Sequence, residues 1–529
     1  MNRRDFIRRA VPSGALPFLI GGLSLRVYGR SPFLDVLTAA AVDTDRVFVL
    51  VQLNGGNDGL NMVIPLDQYS ALSKARANIL IDEAKVLRLS DVTGIHPSMS
   101  GLRSLYQGGK LSVIQSVGYP NPNQSHFRAT DIWLTGADYD QVKPTGWMGR
   151  YLDEEFPDYP NGYPSPVMPD PLAIQIGSAV TPGLQGDTMT MGLAIADPNS
   201  TYVLPSNTDI APDSPAGHEL SFIRSVAQQT QTYSSAIKAA AAKVTNKSTL
   251  YGNNNSLSDQ LKIVARLIAG GLKTRIYVVN YGGFDTHAGQ VNGGAHESGT
   301  HATLLDRVST AITAFLDDLS LLGADDRVLG MTFSEFGRRI ASNASAGTDH
   351  GTAAPVFVFG KHVAPGILGT NPLIPANPTT NDNIPMQFDF RRIYWSILRD
   401  WFGAPLAEVT TALSTPLYPG GQGLPIVSAP ATAVAQDAPD LPREHALYQN
   451  YPNPFNPTTT ISYDLPFGGS VRLDVFNTAG ERVATLVEGM ESAGRHEVPF
   501  QAGRLPSGAY FYRLQAGSFT ATRKLLLVR

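Results

Sequence analysis

From Val47 onward, short apolar runs recur between glycine-bounded or polar loops: Val47 to Leu53, Leu111 to Val117, Leu172 to Ile176, Ile276 to Val279, Val328 to Phe333 and Val356 to Phe359. Runs of this length without polar alternation predict strands buried on both faces, and the expected arrangement is parallel. Between them the apolar period lengthens to that of a helix. The clearest case runs from His301 to Leu322, with Leu304, Leu305, Val308, Ile312, Phe315, Leu316 and Leu319 on one stripe. Tyr394 to Phe402 predicts a last helix. Buried strands alternating with amphipathic helices predict an α/β domain, its sheet flanked by helices on both faces and its sites in loops at the strand ends.

The pattern changes near residue 420. Gly420 to Glu444 is rich in Gly, Pro, Ala and Ser with no periodicity, as a linker is. Beyond it the period is two, in Thr458 to Leu465, Ser470 to Phe476, Arg482 to Val487, Arg495 to Phe500, Ala509 to Gln515 and Phe519 to Val528. Asn477-Thr478-Ala479-Gly480 and Ala516-Gly517 are suited to closing hairpins, so a β-sandwich of about 80 residues is expected. The expected organisation is an export signal and leader over 1–41, an α/β domain over 42–420, a linker over 421–445 and a β-sandwich over 446–529.

Composition narrows the function classes. The chain has 529 residues, and Lys+Arg 41 against Asp+Glu 45 gives a net charge of −4, so no basic field exists for nucleic acid or an anionic membrane. Cys 0 removes disulfides, thiolate metal sites and cysteine nucleophiles together. Any metal must be held by His, Asp, Glu, Asn or Ser. The chain opens Asn2-Arg3-Arg4-Asp5-Phe6-Ile7-Arg8-Arg9, followed by an apolar stretch from Val11 to Leu25 that Pro12 and Pro17 interrupt. That stretch is too short and broken for a membrane span and reads as an export signal, leaving no integral span in the mature chain. Ala39-Ala40-Ala41 offers small residues for cleavage but lies far from the apolar core.

Four loops carry candidate chemistry. Asn54-Gly55-Gly56-Asn57-Asp58-Gly59 follows the first strand, where Asn54 and Asp58 offer oxygen donors; such a cluster is also an ordinary turn. Gln124-Ser125-His126-Phe127-Arg128 brings together a nucleophile, a base and a cation able to neutralise an anionic oxygen, or else a loop histidine bonded to backbone. Asp285 and His287 in Gly283-Phe284-Asp285-Thr286-His287 form a carboxylate and imidazole pair suited to zinc, manganese or iron, with zinc or manganese expected first and calcium not excluded. Ser334-Glu335-Phe336-Gly337-Arg338 delivers Glu335, as a ligand or as an ion-pair partner of Arg338 or Arg339, and Asp349-His350 precedes the Val356 strand. His296 and His301 are five apart, which is not the helical spacing of a zincin.

Three resemblances follow from these residues. Arg3-Arg4 with Phe6 and Ile7 resembles the twin-arginine signal, which implies the twin-arginine translocase as a partner and passage through the periplasm. Tyr448-Gln449-Asn450-Tyr451-Pro452-Asn453-Pro454-Phe455-Asn456-Pro457, with Gly508-Ala509-Tyr510-Phe511-Tyr512 and Arg523-Lys524, resembles the type A sorting domain of the type IX secretion system. That domain is an immunoglobulin-like β-sandwich and implies delivery to the cell surface or medium. Val47 to Phe402, through the four loops above, resembles the family known as domain of unknown function 1501, placed with the alkaline phosphatases and sulfatases. The resemblance implies an alkaline-phosphatase-like sheet and hydrolysis of a phosphate or sulfate ester, with a small anionic ester or glycan as substrate. It implies Ser125 as nucleophile beside His126 and Arg128, and metal ligands among Asn54, Asp58, Asp285, His287, Glu335, Asp349 and His350. Asn54 stands where a carboxylate is expected and Phe336 where a histidine is, so a single metal, an altered reaction or a non-catalytic surface protein that keeps the fold all remain open.

Overall fold

The structure is a computed structural model and describes residues 18–20, 23–25, 45–199, 212–414 and 423–428, and, in the tail, 445–465, 469–491, 494–503, 505–517 and 519–528. Most of the expected leader, including the arginine pair and Ala39–Ala41, and most of the expected linker lie outside the described residues. Phe18–Ile20 and Leu23–Leu25 form an antiparallel pair. Two compact units divide the chain, one reaching residue 414 and taking in 423–428, the other comprising the tail from residue 445.

The first unit is built on a nine-stranded sheet of β1 (Val47–Asn54), β2 (Leu111–Gly118), β3 (Ala173–Ile176), β4 (Gly192–Ile195), β5 (Ile276–Gly282), β6 (Val328–Phe333), β7 (Ala354–Gly360), β8 (Gly366–Leu368) and β9 (Phe388–Asp389). Its order is β8-β2-β7-β6-β1-β5-β3-β4, with β9 beside β2. The central strands read as unbroken apolar runs because both faces are covered. Val47, Val49 and Val51 of β1 pack with Leu261, Leu305 and Phe315 on one side, while Phe48 and Leu50 pack with Trp133, Trp147 and Trp401 on the other. The expected helical stripe is the buried face of helix Thr300–Leu321.

Two expectations need correction. The Val356 strand is not parallel: β7 runs antiparallel to β6 and β2, whereas β1, β3, β5 and β6 are mutually parallel. The Tyr394 helix spans Phe390–Ser396 with a wider turn over Ile397–Trp401, and it is not the last, because helix Leu406–Leu413 follows. Among the described residues no helix is long and apolar enough to cross a membrane.

The tail forms two antiparallel sheets, one of Ala446–Leu447, Thr458–Leu465 and Gly494–Gln501, the other of Gly469–Phe476, Arg482–Glu491, Gly508–Ala516 and Phe519–Leu527. Their inward residues, including Ile461, Tyr463, Leu473, Tyr512 and Leu525, form one cluster, as in a β-sandwich. Both expected turns close hairpins. The separated motif residues meet: the Tyr512 hydroxyl donates to the Tyr448 carbonyl (2.6 Å) and accepts from the Asn450 N–H (2.9 Å), and Arg523 donates to the Leu447 carbonyl (2.6 Å).

Two buried histidines give the first unit an acid limit. Burial, with a neighbouring positive ring, holds His96 down to about 3, and burial holds His301 down to about 4, both from an ordinary 6.5. Between pH 6.5 and 4 the unfolded chain therefore binds protons that the folded chain refuses. Stability is fully present above about pH 6.5 and falls by about 3 kcal/mol per histidine, about 6 kcal/mol together, as the pH drops to 4. Urea titrations across this range should show that loss, and His301→Gln should make the dependence shallower; an unchanged slope would contradict the assignment.

Candidate metal centre

Parallel strands end at one edge of the sheet, and β1, β2, β5 and β6 all deliver their following loops there. The reversal of β7 brings the loop before it, with Asp349 and His350, to the same edge; a parallel β7 would have put these residues at the opposite one. The loops approach closely because Gly55 and Gly56 occupy positive φ (123° and 71°). A Cβ at Gly55 would lie 2.3 Å from the Asp285 nitrogen, and one at Gly56 would lie 2.3 Å from the Phe336 ring.

Three imidazoles surround one carboxylate. The Nε2 atoms of His350 and His287 lie 3.1 and 3.2 Å from Asp285 Oδ1, and Nε2 of His126 lies 3.5 Å from Oδ2. Each ring uses its other nitrogen on an oxygen that can only accept. His126 Nδ1 donates to Glu335 Oε1 (2.7 Å), His287 Nδ1 to Asp349 Oδ1 (3.1 Å) and His350 Nδ1 to the Gln124 carbonyl (2.9 Å). In neutral rings this places a lone pair on each Nε2, facing a carboxylate, an arrangement that calls for a cation between them. Burial holds the His350 ring below its usual value, which favours the neutral form. His126 Nε2 is buried with no hydrogen-bond partner. His126, Asp285 and His350 each offer a ligand atom within 4.8 Å of the others, a group that can hold a metal ion.

Behind this cluster lies Arg338, about 1 % exposed. It donates to the carbonyls of Gly55 (2.5 Å), Gly56 (2.5 Å), Thr348 (2.7 Å) and Phe284 (3.2 Å) and to Asp285 Oδ1 (2.6 Å). Burial alone would raise the Asp285 carboxyl; the hydrogen bond and charge of Arg338 lead the opposing effects that bring the group down to about 2. Glu335, 2 % exposed, also accepts from the Gly55 N–H (2.9 Å), so it pairs with His126 and not with Arg338 or Arg339.

The structure thus sorts the sequence candidates. Asp285, His287 and His350, read as metal ligands, come together, and His126, read as a catalytic residue, joins them. Glu335 and Asp349, read as ligands, stand behind the rings and orient them. Asp58 is not available to a metal: it is buried and held by Arg76 (2.9 and 3.0 Å) and Gln290 (2.6 Å). Arg128 turns from the cluster to pair with Asp131 and the carbonyls of Asp138, Tyr139 and Gln141. Asn54 lines the cavity beside the cluster. Ser125 is exposed at the N-cap of helix His126–Thr135, its hydroxyl making no capping bond. The sequence reading missed the Gln124 carbonyl and weighed Arg338 only as a partner of Glu335; an arginine just past a strand end, among glycine loops, was the available signal.

Residues 205–388 match the family model described as Protein of unknown function (DUF1501), and residues 449–528 match the Secretion system C-terminal sorting domain. The tail thus directs the protein out of the cell, to its surface or the medium. No curated protein matches the chain in sequence. Solved structures similar to it include a protein in the alkaline phosphatase superfamily from Vibrio parahaemolyticus (12% identity, 84% of this chain and 82% of that chain, TM-score 0.30). A phosphonate monoester hydrolase from Silicibacter pomeroyi is 10% identical over 90% of this chain and 88% of that chain (TM-score 0.31). Alkaline phosphatase from the Antarctic bacterium TAB5 is 10% identical over 60% and 91% (TM-score 0.25). Likeness at this level transfers no residue role.

Removing an orienting carboxylate should cost affinity without removing a ligand. Asp349→Ala is expected to weaken zinc binding about 10- to 100-fold in competition with a chromophoric chelator; unchanged affinity would contradict the outer position of Asp349. Arg338→Lys leaves several carbonyls without donors and is expected to cost about 3–5 kcal/mol in chemical denaturation. A loss below about 1 kcal/mol, the worth of a surface pair, would contradict its role.

Proposed function

We propose that this exported protein is a metal-dependent hydrolase of phosphate or sulfate esters, with His126, His287, His350 and Asp285 holding one divalent ion. The observation that carries the reading is the shared orientation of the three rings, each with its Nδ1 against an acceptor oxygen and its Nε2 facing Asp285. Three imidazoles and one carboxylate suit zinc better than manganese or calcium, which favour oxygen-rich sites. A bound divalent ion supplies Lewis acidity toward an ester oxygen.

The chain's own residues do the rest. Glu335, Asp349 and the Gln124 carbonyl hold the rings in place, and Arg338 keeps Asp285 ionised. Helix His126–Thr135 opens beside the cluster, its first-turn N–H groups suited to an anionic ester. Ser125, at its N-cap, is the candidate nucleophile. Its oxygen would bond to phosphorus or sulfur as the bond to the alcohol breaks, the serine proton ending on the alcohol; water would then cleave the seryl ester to release phosphate or sulfate. Asn54 offers a neutral amide where a second ion would want a carboxylate, which supports a single-ion site.

A second reading, a surface-binding protein without turnover, is favoured by that same Asn54 and by Phe336. The Phe336 ring lies 4.9 Å from His126 and 4.7 Å from His350, where a further ligand would be needed. Turnover of 4-nitrophenyl phosphate and 4-nitrophenyl sulfate by the zinc-loaded chain separates the two. Hydrolysis of either is expected, and Ser125→Ala should lower kcat by at least about 10³-fold with metal retained. Activity surviving in that variant would assign the attack to water, and no hydrolysis of either ester by the metal-loaded wild type would favour the binding reading.

A further inference from the structure

The metal cluster opens into a cavity of about 510 Å³, and one helix builds much of its wall. Helix His126–Thr135 presents Phe127, Thr130, Asp131 and Leu134 along it, at the three- and four-residue spacing of a single helical face, and Pro182 adds a further apolar surface. Phe127 is 92 % exposed, an unusual state for a phenylalanine one residue from a candidate metal ligand. Among the described residues, the ionisable side chains lining the cavity are His126, Asp131, Asp285 and Glu335, with no lysine or arginine. Two arginines on the flanking segments are spent elsewhere: Arg338 is buried behind Asp285, and Arg128 is paired with Asp131.

A wall of this kind offers no free cation to a further anionic group and favours a flat uncharged surface. We infer that the alcohol portion of the substrate is an uncharged ring, lying on Phe127 while the ester group points to the metal cluster. This rests on the hydrolase reading and narrows its substrate class. Aryl groups and unsubstituted sugars share the required face; polysulfated glycans and nucleotides do not fit a wall without cations.

The zinc-loaded full chain would be titrated by calorimetry with phenyl phosphate, glucose 1-phosphate and methyl phosphate, and with heparin as a polyanion. Phenyl phosphate, glucose 1-phosphate or both should bind about tenfold more tightly than methyl phosphate, the stronger of the two telling aryl from sugar. Phe127→Ala should erase that margin with zinc content unchanged, and Phe127→Trp should keep it. Equal binding of all three small esters, an unaffected Phe127→Ala variant, or tighter binding of heparin would overturn the inference. Should the chain hold no zinc, the hydrolase reading fails separately. The wall is then tested on the metal-free protein, where saturation-transfer NMR should detect phenol or methyl glucoside in wild type and not in Phe127→Ala; no signal in wild type would overturn it.

Discussion

A guanidinium buried beneath the sheet edge needs acceptors for its donors, and Arg338 finds carbonyls and a carboxylate drawn from three loops. That requirement fixes how the Gly55–Gly56, Phe284–Asp285 and Thr348 segments approach one another, and the histidines follow from it. His287 lies two residues from Asp285, His350 two from Thr348, and His126 reaches Glu335, whose same oxygen is held by Gly55. A second buried network reinforces the first. Gln290 donates to Asp58 (2.6 Å) and accepts from the hydroxyls of Thr286 and Thr348 (3.0 Å each), tying the same loops from below. Arg76, itself fully buried, neutralises Asp58 and donates to the carbonyls of Arg339 and Ile340. Polar groups so thoroughly paired are costly to rearrange, so the cluster is held in shape by the protein's own charges.

The fold was legible where burial is symmetrical. Strands covered on both faces leave unbroken apolar runs, and all six such runs became strands of the central sheet. Gly192–Ile195, Gly366–Leu368 and Phe388–Asp389 are two to four residues long and too brief to stand out from loop sequence. The direction of β7 was illegible for a different reason: an apolar run carries no sign of its orientation. That reversal matters most for the site, because it decides which edge receives His350. In the tail, alternation with a period of two was a faithful guide, since each strand there has one buried and one wetter face.

For the candidate site, the residue types were legible and their order around the centre was not. Asp285, His287 and His350 announced themselves as a carboxylate and imidazoles at strand ends. Sequence cannot say whether Glu335 and Asp349 touch a metal or a ring that touches it, since both roles use a carboxylate in a loop. Asp58 looked like a donor in a glycine turn, and its partner Arg76, eighteen positions on in a helix, carried no visible link to it. In the sequence Phe127 stands only within a motif, although its spacing with Thr130 and Leu134 marks one helical face.

The central claim is that three imidazoles and the Asp285 carboxylate form one coordination sphere. X-ray absorption fine structure of the zinc-loaded chain tests it most directly, because multiple scattering from imidazole rings counts them. The account predicts three imidazole nitrogens and an oxygen donor at roughly 2.0–2.2 Å. A sphere of oxygens alone, or one with a single imidazole, would contradict it.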